Sequence, residues 1–391
     1  MPRPLRIFLA CQQSAVRHAV PAYAFWADYF RHAIAEAGHT CLEAPVCDWA
    51  AGLRPAETLA SESWPDRTWT SALDYIRHEH SRQPIDFFLG YLFPQQVLPA
   101  AVSEIRALGI PCVNFFCDNV REFRRVPAAF RAFDLHWVPE FNALPLYARD
   151  RLPVLHAPMP CWVPPAQRVP ASRETLPPTF VGTRDELRAH LFADAFLLGL
   201  SADLRGYGWD GTTPPPPAPA ASPGGLLRNQ WHFLRRHGPR ALGRKLAHRL
   251  MPPTPFTFDF SAHVRPMPVG DDYARILRES SVCLGVNRYP SPRFPLDNPD
   301  TYSRLRDLEA PMSGACYLTE CAPGLDTLYD LGNEIETYRT ADELVEKSRA
   351  LVADPVRRAR LRAAGQRRAL ADHTILRTLA RIAEHLRCSS R

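Results

Sequence analysis

Charged side chains flank a predicted helix-to-strand turn in the second half of the chain. Arg304 and Arg306 lie in the helical run, Glu309 follows one turn before its end, and the run stops at Ser313-Gly314. A carboxylate in this position can project into the cleft edge of a sheet and accept hydrogen bonds from a ribose diol, while the arginines can bind a diphosphate. The alternative interpretation is a surface helix on which the Arg306–Glu309 pair contributes only about 0.2–0.5 kcal/mol.

A second candidate phosphate-binding segment is FVGTRDELR, Phe180–Arg188. The pattern predicts a strand that ends in Gly182 and a helix that begins with Thr183 as its N-cap. Free amides at a helix start attract phosphate, and Arg184 can add a bidentate donor. An ordinary capped helix with Arg184 in solvent is the alternative.

The stretch GYGWDG, Gly206–Gly211, matches the spacing G-x-G-x-x-G. A dinucleotide fingerprint requires a helix to start at this loop, but four prolines follow almost at once. The spacing therefore favours another interpretation, in which glycines such as Gly208 let the backbone pass close to a neighbour or a ligand.

Two residues are candidates for a catalytic base. Asp118 follows the apolar run CVNFF, and ligands bind at the carboxyl ends of parallel strands. Its alternative role is the N-cap of the next helix. His18, in the first strand-to-helix loop, is a comparable candidate. The chain contains no D-x-D, so we expect no catalytic metal, and arginines and helix amides would have to neutralise any bound diphosphate.

Alternating apolar and amphipathic segments indicate a doubly wound α/β fold. In the first half, amphipathic stretches that end at Gly38 and Gly109 separate short apolar runs typical of buried parallel strands. The runs are Leu5–Ala10, Asp86–Leu92, Cys112–Phe116 and Leu135–Val138, and the amphipathic stretches are Tyr23–Ala37 and Pro94–Leu108.

The alternation predicts two domains. An N-terminal domain covers residues 1–165, and the Pro-rich stretch Cys161–Pro178 is the predicted linker. A second α/β domain covers residues 178–370 and carries a Pro-rich and basic insertion at about residues 211–262. Three closing helices are predicted, separated at Pro355 and His373. One option for the last of them, in residues 371–391, is to pack back on the first domain.

Composition indicates a globular protein with ample core. The chain has 391 residues, 46% hydrophobic and 23% charged, with a net charge of +6. Its positive charge is carried almost entirely by arginine, since Lys245 and Lys347 are the only lysines. The ten cysteines include no C-x-x-C pair and no zinc-like spacing, and no run is long enough to span a membrane. We therefore expect a cytoplasmic protein with reduced thiols.

The chain resembles the group 1 glycosyltransferases of the GT-B fold, in the spore-maturation-protein type. The resemblance rests on RLRDLEAPMSGACYL with the later GNEIETY, on FVGTRDELR with YGW, on VCLGVNRYP, and more loosely on GIPCVNFFCDN. It covers most of the chain apart from residues 211–262. It implies two doubly wound, Rossmann-like domains that face a cleft, and transfer of a sugar from a nucleoside-diphosphate sugar to an unknown acceptor without a further cofactor.

The resemblance also implies roles for individual residues. Glu309 matches the second acid of the family's E-x7-E pattern, which contacts the donor ribose, whereas Thr301 stands where the first acid is expected. Ser313 and Gly314 match the loop beside the diphosphate. Gly182, Thr183 and Arg184 match the loop that faces the diphosphate. Asn287 and Arg288 match the strand-end segment that lines the cleft.

The basic stretch Leu226–Leu250 lies outside the resemblance. Its leucines and Trp231 form apolar stripes opposite many arginines, a pattern typical of helices that lie on anionic membranes. The alternative is that both stripes pack on the second domain. Sparse aromatics beyond Trp231 and Phe233 and the modest net charge argue against nucleic-acid binding. The rival functions are a non-catalytic GT-B protein, which Thr301 favours, and an NAD-linked enzyme.

Overall fold

Short apolar runs form the parallel strands of two six-stranded sheets. The structure, a computed structural model, describes residues 3–14, 24–53, 64–170, 173–211, 223–250 and 257–389. It divides into two units. One comprises Met1–Trp162 with His373–Arg391, and the other comprises Val163–Asp372.

The sheet of the first unit is entirely parallel and has the order β2-β1-β3-β4-β5-β6. Its strands are β1 (Arg6–Ala10), β2 (Thr40–Leu42), β3 (Phe87–Gly90), β4 (Cys112–Phe115), β5 (Leu135–Val138) and β6 (Val154–His156). The four strands predicted from the apolar runs are confirmed. All residues of β1, β3, β4 and β5 are buried, as expected for strands covered on both faces.

Helices connect these strands. They are α1 (Ala24–Glu36), α2 (Trp64–Arg82), α3 (Pro99–Ala107), α4 (Asn119–Glu122) and α5 (Leu144–Arg149). The helix predicted over Pro94–Leu108 is divided into a 3-10 turn at Pro94–Gln96 and α3. Leu98 is extended, since a residue before proline avoids the helical region, and Pro99 then starts a new helix.

Aromatic side chains fill the core of the first unit. Phe8 stacks on Phe88 with ring centres 5.5 Å apart, and Trp69 contacts both Phe88 and Trp49. Trp69 is fully buried and donates its indole N–H to the backbone carbonyl of Gln96 at 2.8 Å. The buried indole is therefore satisfied, as a stable core requires.

The sheet of the second unit is also parallel, with the order β14-β13-β10-β7-β8-β9, and a separate antiparallel pair joins β11 and β12. The strands are β7 (Thr179–Val181), β8 (Asp203–Arg205), β9 (Val264–Arg265), β10 (Cys283–Gly285), β11 (Arg288–Tyr289), β12 (Asp300–Thr301), β13 (Tyr317–Glu320) and β14 (Glu336–Tyr338).

The remaining helices include the predicted closing helices, which the structure confirms. In chain order they are α6 (Glu186–Leu197), α7 (Pro223–His237), α8 (Pro239–Leu250), α9 (Asp272–Glu279), α10 (Arg306–Met312), α11 (Leu325–Leu328), α12 (Ala341–Ala353), α13 (Pro355–Asp372) and α14 (Ile375–Ser389). The core of the second unit is built around Phe180, Phe192, Leu204, Leu284 and Leu318. The last helix, α14, belongs to the first unit and packs against α1.

The basic part of the predicted insertion forms two helices, α7 and α8, as its apolar stripes indicate. Gly238, with a φ of 88°, separates α7 from α8, because glycine adopts this left-handed conformation at low cost. After the insertion, β9 adds an edge strand beside β8. The insertion therefore returns to the sheet it interrupts.

Candidate active site

The carboxyl edge of the second sheet gathers most of the predicted donor-binding residues. β7 leads into Gly182–Arg184, β8 leads into Gly206–Gly208, and β10 leads into Asn287 and Arg288. These strands are parallel neighbours, so the segments that follow them lie at the same edge. In doubly wound folds this is the edge at which ligands bind.

The two glycine segments at this edge touch each other. Gly206 has a φ of 138°, and a Cβ there would lie 2.3 Å from the carbonyl oxygen of Gly182. Trp209 donates its indole N–H to the same oxygen at 2.7 Å. The glycines of GYGWDG thus allow a close backbone approach, as the sequence indicates, and no helix begins there among the described residues up to 211.

The prediction that Thr183 caps α6 is wrong. Asp185 is the N-cap, and its Oδ1 accepts the backbone N–H of Arg188 at 2.9 Å. An aspartate carboxylate therefore already lies at the start of α6, where free amides were expected to meet phosphate. Positive charge for a bound diphosphate has to come from side chains instead.

Arg188, which the sequence analysis did not select, supplies such a charge. Its Nη1 donates to the backbone oxygen of Thr183 at 2.8 Å, and its Nε lies 3.3 Å from Asp185 Oδ2. Burial lowers the pKa of Arg188; Asp185 acts to raise it, and the positive charges of Arg304 and Arg306 lower it further. Arg188 lies in the first turn of α6, and Arg304 and Arg306 lie at the start of α10, so all three belong to this edge of the sheet.

The other two members of the cluster are held by aromatic rings. The guanidinium carbon of Arg304 lies 5.2 Å from the ring centre of Tyr302, and that of Arg306 lies 4.8 Å from the ring centre of Tyr273. We call Arg188, Arg304 and Arg306 the arginine cluster. The rings orient these cations without neutralising them. Asp185 and Glu309 offset part of the charge of Arg188 and Arg306, and the three arginines leave the cluster with a net positive charge for an anion.

Beneath the cluster lies a buried acid that the sequence analysis also missed. Asp307 is fully buried and accepts hydrogen bonds from Tyr317 Oη (2.7 Å), Thr319 Oγ1 (3.0 Å) and the Arg304 backbone N–H (3.1 Å). Burial raises its pKa, and these hydrogen bonds act in the opposite direction. Asp307 thereby fixes the start of α10 and the position of Arg304.

Asn287 connects this acid to a second one, Glu320. The Nδ2 of Asn287 donates to Asp307 Oδ2 at 3.0 Å and to the backbone oxygen of Glu320 at 2.8 Å. Its Oδ1 is buried and has no hydrogen-bond partner in the part of the chain that the structure describes. The amide nitrogen of Asn287 is therefore committed to the protein, where it joins the two acids.

Glu320 also holds Arg288. Its Oε1 accepts from Arg288 Nε at 2.8 Å and from Nη2 at 2.5 Å, and its Oε2 accepts the Arg288 backbone N–H at 2.9 Å. Burial acts to lower the pKa of Arg288, but the hydrogen bond and charge of Glu320 raise it. Arg288 is thus an oriented, charge-compensated cation at the strand end.

Glu309, the predicted ribose ligand, lies on α10 one turn beyond Arg306. Its Oε2 accepts a hydrogen bond from the Tyr273 hydroxyl and lies 3.5 Å from Arg306 Nε. The Arg306–Glu309 pair of the alternative interpretation therefore exists, but not on a surface helix, because Glu309 is only 9% exposed. The pair is part of the same charged region as Arg304.

Ser313 and Gly314 lie at the opposite edge of the sheet from the other candidates. They follow the end of α10 and precede β13, and the carbonyl oxygen of Gly314 accepts from Arg362 Nη1 at 2.9 Å. The same guanidinium binds the carbonyls of Arg278 and Ser280, which precede β10. A helix that leads into a parallel strand ends at the amino edge, so the structure separates this turn from the arginine cluster.

A cleft of about 610 Å³ opens at the carboxyl edge of β13 and β14. Arg288 and Glu320 line it together with Thr301, the residue that stands where the family's first acid is expected, and with His190 and Arg339. The cleft is large enough for a sugar or a small ligand. It places Thr301 beside a candidate donor-binding residue.

Of the two candidate bases, Asp118 lies in the loop that follows β4 at the carboxyl edge of the first sheet, and it is half-buried. It occupies the N-cap position of α4 without capping it. The buried Glu140 accepts the Asn119 N–H at 2.5 Å and the Val120 N–H at 3.4 Å. The N-cap role suggested for Asp118 is therefore filled by Glu140, and His18 lies outside the described residues.

Within the described ranges, no group of three or more His, Cys, Asp and Glu side chains could hold a metal ion. Likewise, no helix in the described part of the chain is both long and apolar enough to span a membrane.

The fold of the chain is that of GT-B glycosyltransferases. Sucrose-phosphate synthase from Thermosynechococcus elongatus aligns with a TM-score of 0.53 at 12% identity, over 99% of this chain and 100% of that one. HepE from Anabaena in complex with UDP gives 0.52 at 11% identity, over 98% and 100%. A glycosyltransferase from Rickettsia africae gives 0.56 at 10% identity, over 98% and 98%. At such identities the likeness shows the fold.

The second half of the chain also matches a family model. Residues 240–384 match the model described as Glycosyl transferase-like, whereas curated proteins give no match. The family match and the fold together support a glycosyltransferase enzyme of the GT-B type.

Proposed function

We propose that this enzyme transfers a sugar from a nucleoside-diphosphate sugar held at the carboxyl edge of its second sheet, without a metal ion. The observation that carries the proposal is the arginine cluster, whose members lie at the starts of α6 and α10, at the sheet edge suited to nucleotides. Their charges take the place of a cation in stabilising the leaving diphosphate. The spore-maturation-protein type is the family branch that we propose.

The proposed donor lies along α10, with its ribose on Glu309 and its diphosphate toward Arg306 and Arg304. Residues 306 and 309 are separated by about 4.5 Å along a helix axis, at 1.5 Å per residue. This spacing suits neighbouring groups of one nucleotide. HepE has been crystallised with UDP and with UDP-glucose, so we propose a uridine nucleotide as the first donor to test.

The test is a thermal-shift panel of UDP-, GDP-, dTDP- and ADP-sugars, each with EDTA and with added Mg²⁺. We expect one nucleotide sugar to raise the melting temperature equally with and without the metal. Transfer or hydrolysis of its sugar, with release of the nucleoside diphosphate, should proceed in EDTA. A ligand present at about 100 times its Kd stabilises by about 2.7 kcal/mol, which a melting curve detects readily. Activity that requires Mg²⁺ or Mn²⁺ would contradict the metal-independent mechanism.

Asp118 is the proposed base that accepts the proton of the acceptor hydroxyl. The acceptor itself is a glycan, a lipid-linked sugar or a small molecule, and contact of residues 226–250 with a membrane would suit the lipid-linked class. Asp118→Asn should reduce kcat by roughly 10²–10⁴-fold, the range of general-base contributions, while donor affinity stays unchanged. Unchanged kcat in this variant would remove Asp118 from the mechanism.

A non-catalytic nucleotide-sugar-binding protein is the second candidate function, because Thr301 replaces the family's first acid beside Arg288. The two functions differ in one experiment. A binding protein shows the nucleotide-dependent thermal shift but no hydrolysis or transfer of the bound sugar over many hours, whereas the proposed enzyme slowly hydrolyses its donor when the acceptor is missing.

A further inference from the structure

The two helices of the insertion form a basic hairpin. We use this name for α7 and α8 together, residues 223–250. The hairpin contains six arginines and one lysine and no aspartate or glutamate. Because the whole chain has a net charge of only +6, the rest of the protein is close to neutral. The hairpin therefore carries a local excess of positive charge.

The helices run antiparallel and contact each other. Lys245 on α8 donates to Gln230 Oε1 on α7 at 3.1 Å, and its Nζ lies 4.4 Å from the ring centre of Phe233. Residues 230 and 245 are nearly equidistant from Gly238, as an antiparallel pair requires. Trp231 and Leu246 therefore occur at similar levels of the hairpin.

The apolar stripe of the hairpin is only partly used for packing. Ala241 is 2% exposed, and Leu242 is half-buried. In contrast, Trp231 is 56% exposed, Leu246 is 49% exposed and Leu250 is 81% exposed. The alternative in which the whole stripe packs on the second unit is wrong for these three residues.

A loop that contacts the hairpin also carries exposed apolar side chains. Arg244 on α8 donates to the backbone oxygens of Pro292 and Arg293. Two residues that follow in this loop, Phe294 and Leu296, are 38% and 40% exposed. Large exposed apolar side chains thus occur both on the hairpin, which has no acidic residue, and in the loop that it contacts.

We propose that the basic hairpin docks on an anionic lipid surface, with Trp231, Leu246 and Leu250 entering the acyl boundary and the arginines meeting the headgroups. Charge complementarity requires a polyanionic partner, and the exposed leucines require a partner with an apolar phase. A nucleic acid satisfies the first requirement and not the second. The proposal concerns membrane attachment and does not depend on glycosyl transfer.

Flotation of the full-length protein with vesicles tests the proposal. One vesicle type contains about one third phosphatidylglycerol in phosphatidylcholine, and the other is pure phosphatidylcholine. We expect flotation with the anionic vesicles at low salt, weaker flotation at high salt and none with the neutral vesicles. Removing one charge, as in Arg240→Gln, should weaken binding roughly fivefold.

Matched leucine variants separate insertion from simple charge attraction. Leu250→Asp should abolish flotation, whereas Leu197→Asp on α6, where Leu197 is 78% exposed, should float like the wild type. Equal melting temperatures of the two variants show that the fold is intact. The proposal is overturned if the wild type stays soluble at low salt, if Leu250→Asp floats normally, or if a short DNA duplex binds the hairpin more tightly than the anionic vesicles do.

Discussion

Replacing Arg188 by methionine tests the arginine cluster with little change in the fold. Methionine keeps an unbranched stem against Phe180, whose ring centre lies 5.7 Å from the guanidinium carbon. The variant loses the hydrogen bond to Thr183 and the contact with Asp185, together about 1–2 kcal/mol. It also relieves repulsion within the cluster, so we expect the free energy of unfolding to fall by less than about 1–2 kcal/mol.

Nucleotide binding should change far more than stability. A charge-assisted hydrogen bond to a phosphate contributes about 1.5–3 kcal/mol, so Arg188→Met should weaken binding of the donor diphosphate by roughly 10–150-fold. Isothermal titration calorimetry measures this directly. Because the lost interaction is electrostatic, the difference between wild type and variant should shrink at high salt.

Arg349→Met is the matched control. Arg349 also donates to backbone oxygens, those of Leu198 (3.0 Å) and Gly199 (2.9 Å), but these residues follow the carboxyl end of α6, far from its start. The control removes the same charge and a comparable set of hydrogen bonds. Wild-type affinity in a folded Arg188→Met variant, or an equal loss in Arg349→Met, would refute the assignment of Arg188 to the diphosphate.

Glu309→Gln should weaken nucleotide binding by about 1–3 kcal/mol in calorimetry, since a carboxylate binds ribose hydroxyls better than an amide does; unchanged affinity would remove Glu309 from the site. Burial lowers the pKa of His136 from 6.5 to about 4. As the pH falls from 6.5 to about 4, the unfolded state therefore binds a proton before the folded state does, and the protein loses stability. In His136→Phe, urea denaturation should show a flatter decline below about pH 6.5, and an unchanged decline would assign it to other groups. For Glu140, burial and then the charge of Asp118 raise the pKa well above 4.5, so the unfolded state ionises first and the wild type loses stability as the pH rises above that value. Glu140→Gln should therefore gain stability relative to the wild type as the pH rises from about 4 to 7, and a constant difference in urea would contradict this reasoning.

The central strands β1, β3, β4 and β5 could be predicted because each is a short apolar run buried on both faces. The edge strands β2, β6 and β9 are partly exposed and lack such a run. Helix starts were harder to place, since Thr183 and Asp185 are both good N-cap residues and only the structure shows that Asp185 accepts the Arg188 N–H. Arg188 itself gave no signal in the sequence, because its importance comes from Arg304 and Arg306, more than a hundred residues later.

The network of Asp307, Asn287 and Glu320 was equally invisible, because its members come from three separate elements. The position of Ser313 and Gly314, in contrast, could have been predicted. A turn between a helix and a following parallel strand belongs to the amino edge of the sheet, and the family resemblance alone placed it beside the diphosphate.

Hydrogen–deuterium exchange with and without the nucleotide that gives the largest thermal shift tests the central claim most directly. The account predicts slower exchange in three segments of the carboxyl edge, residues 182–188, 285–288 and 302–309. Residues 313–314 and 362–370, at the amino edge, should be unaffected. Protection confined to the amino edge, or no protection with any of the four nucleotides, would contradict the proposed donor site.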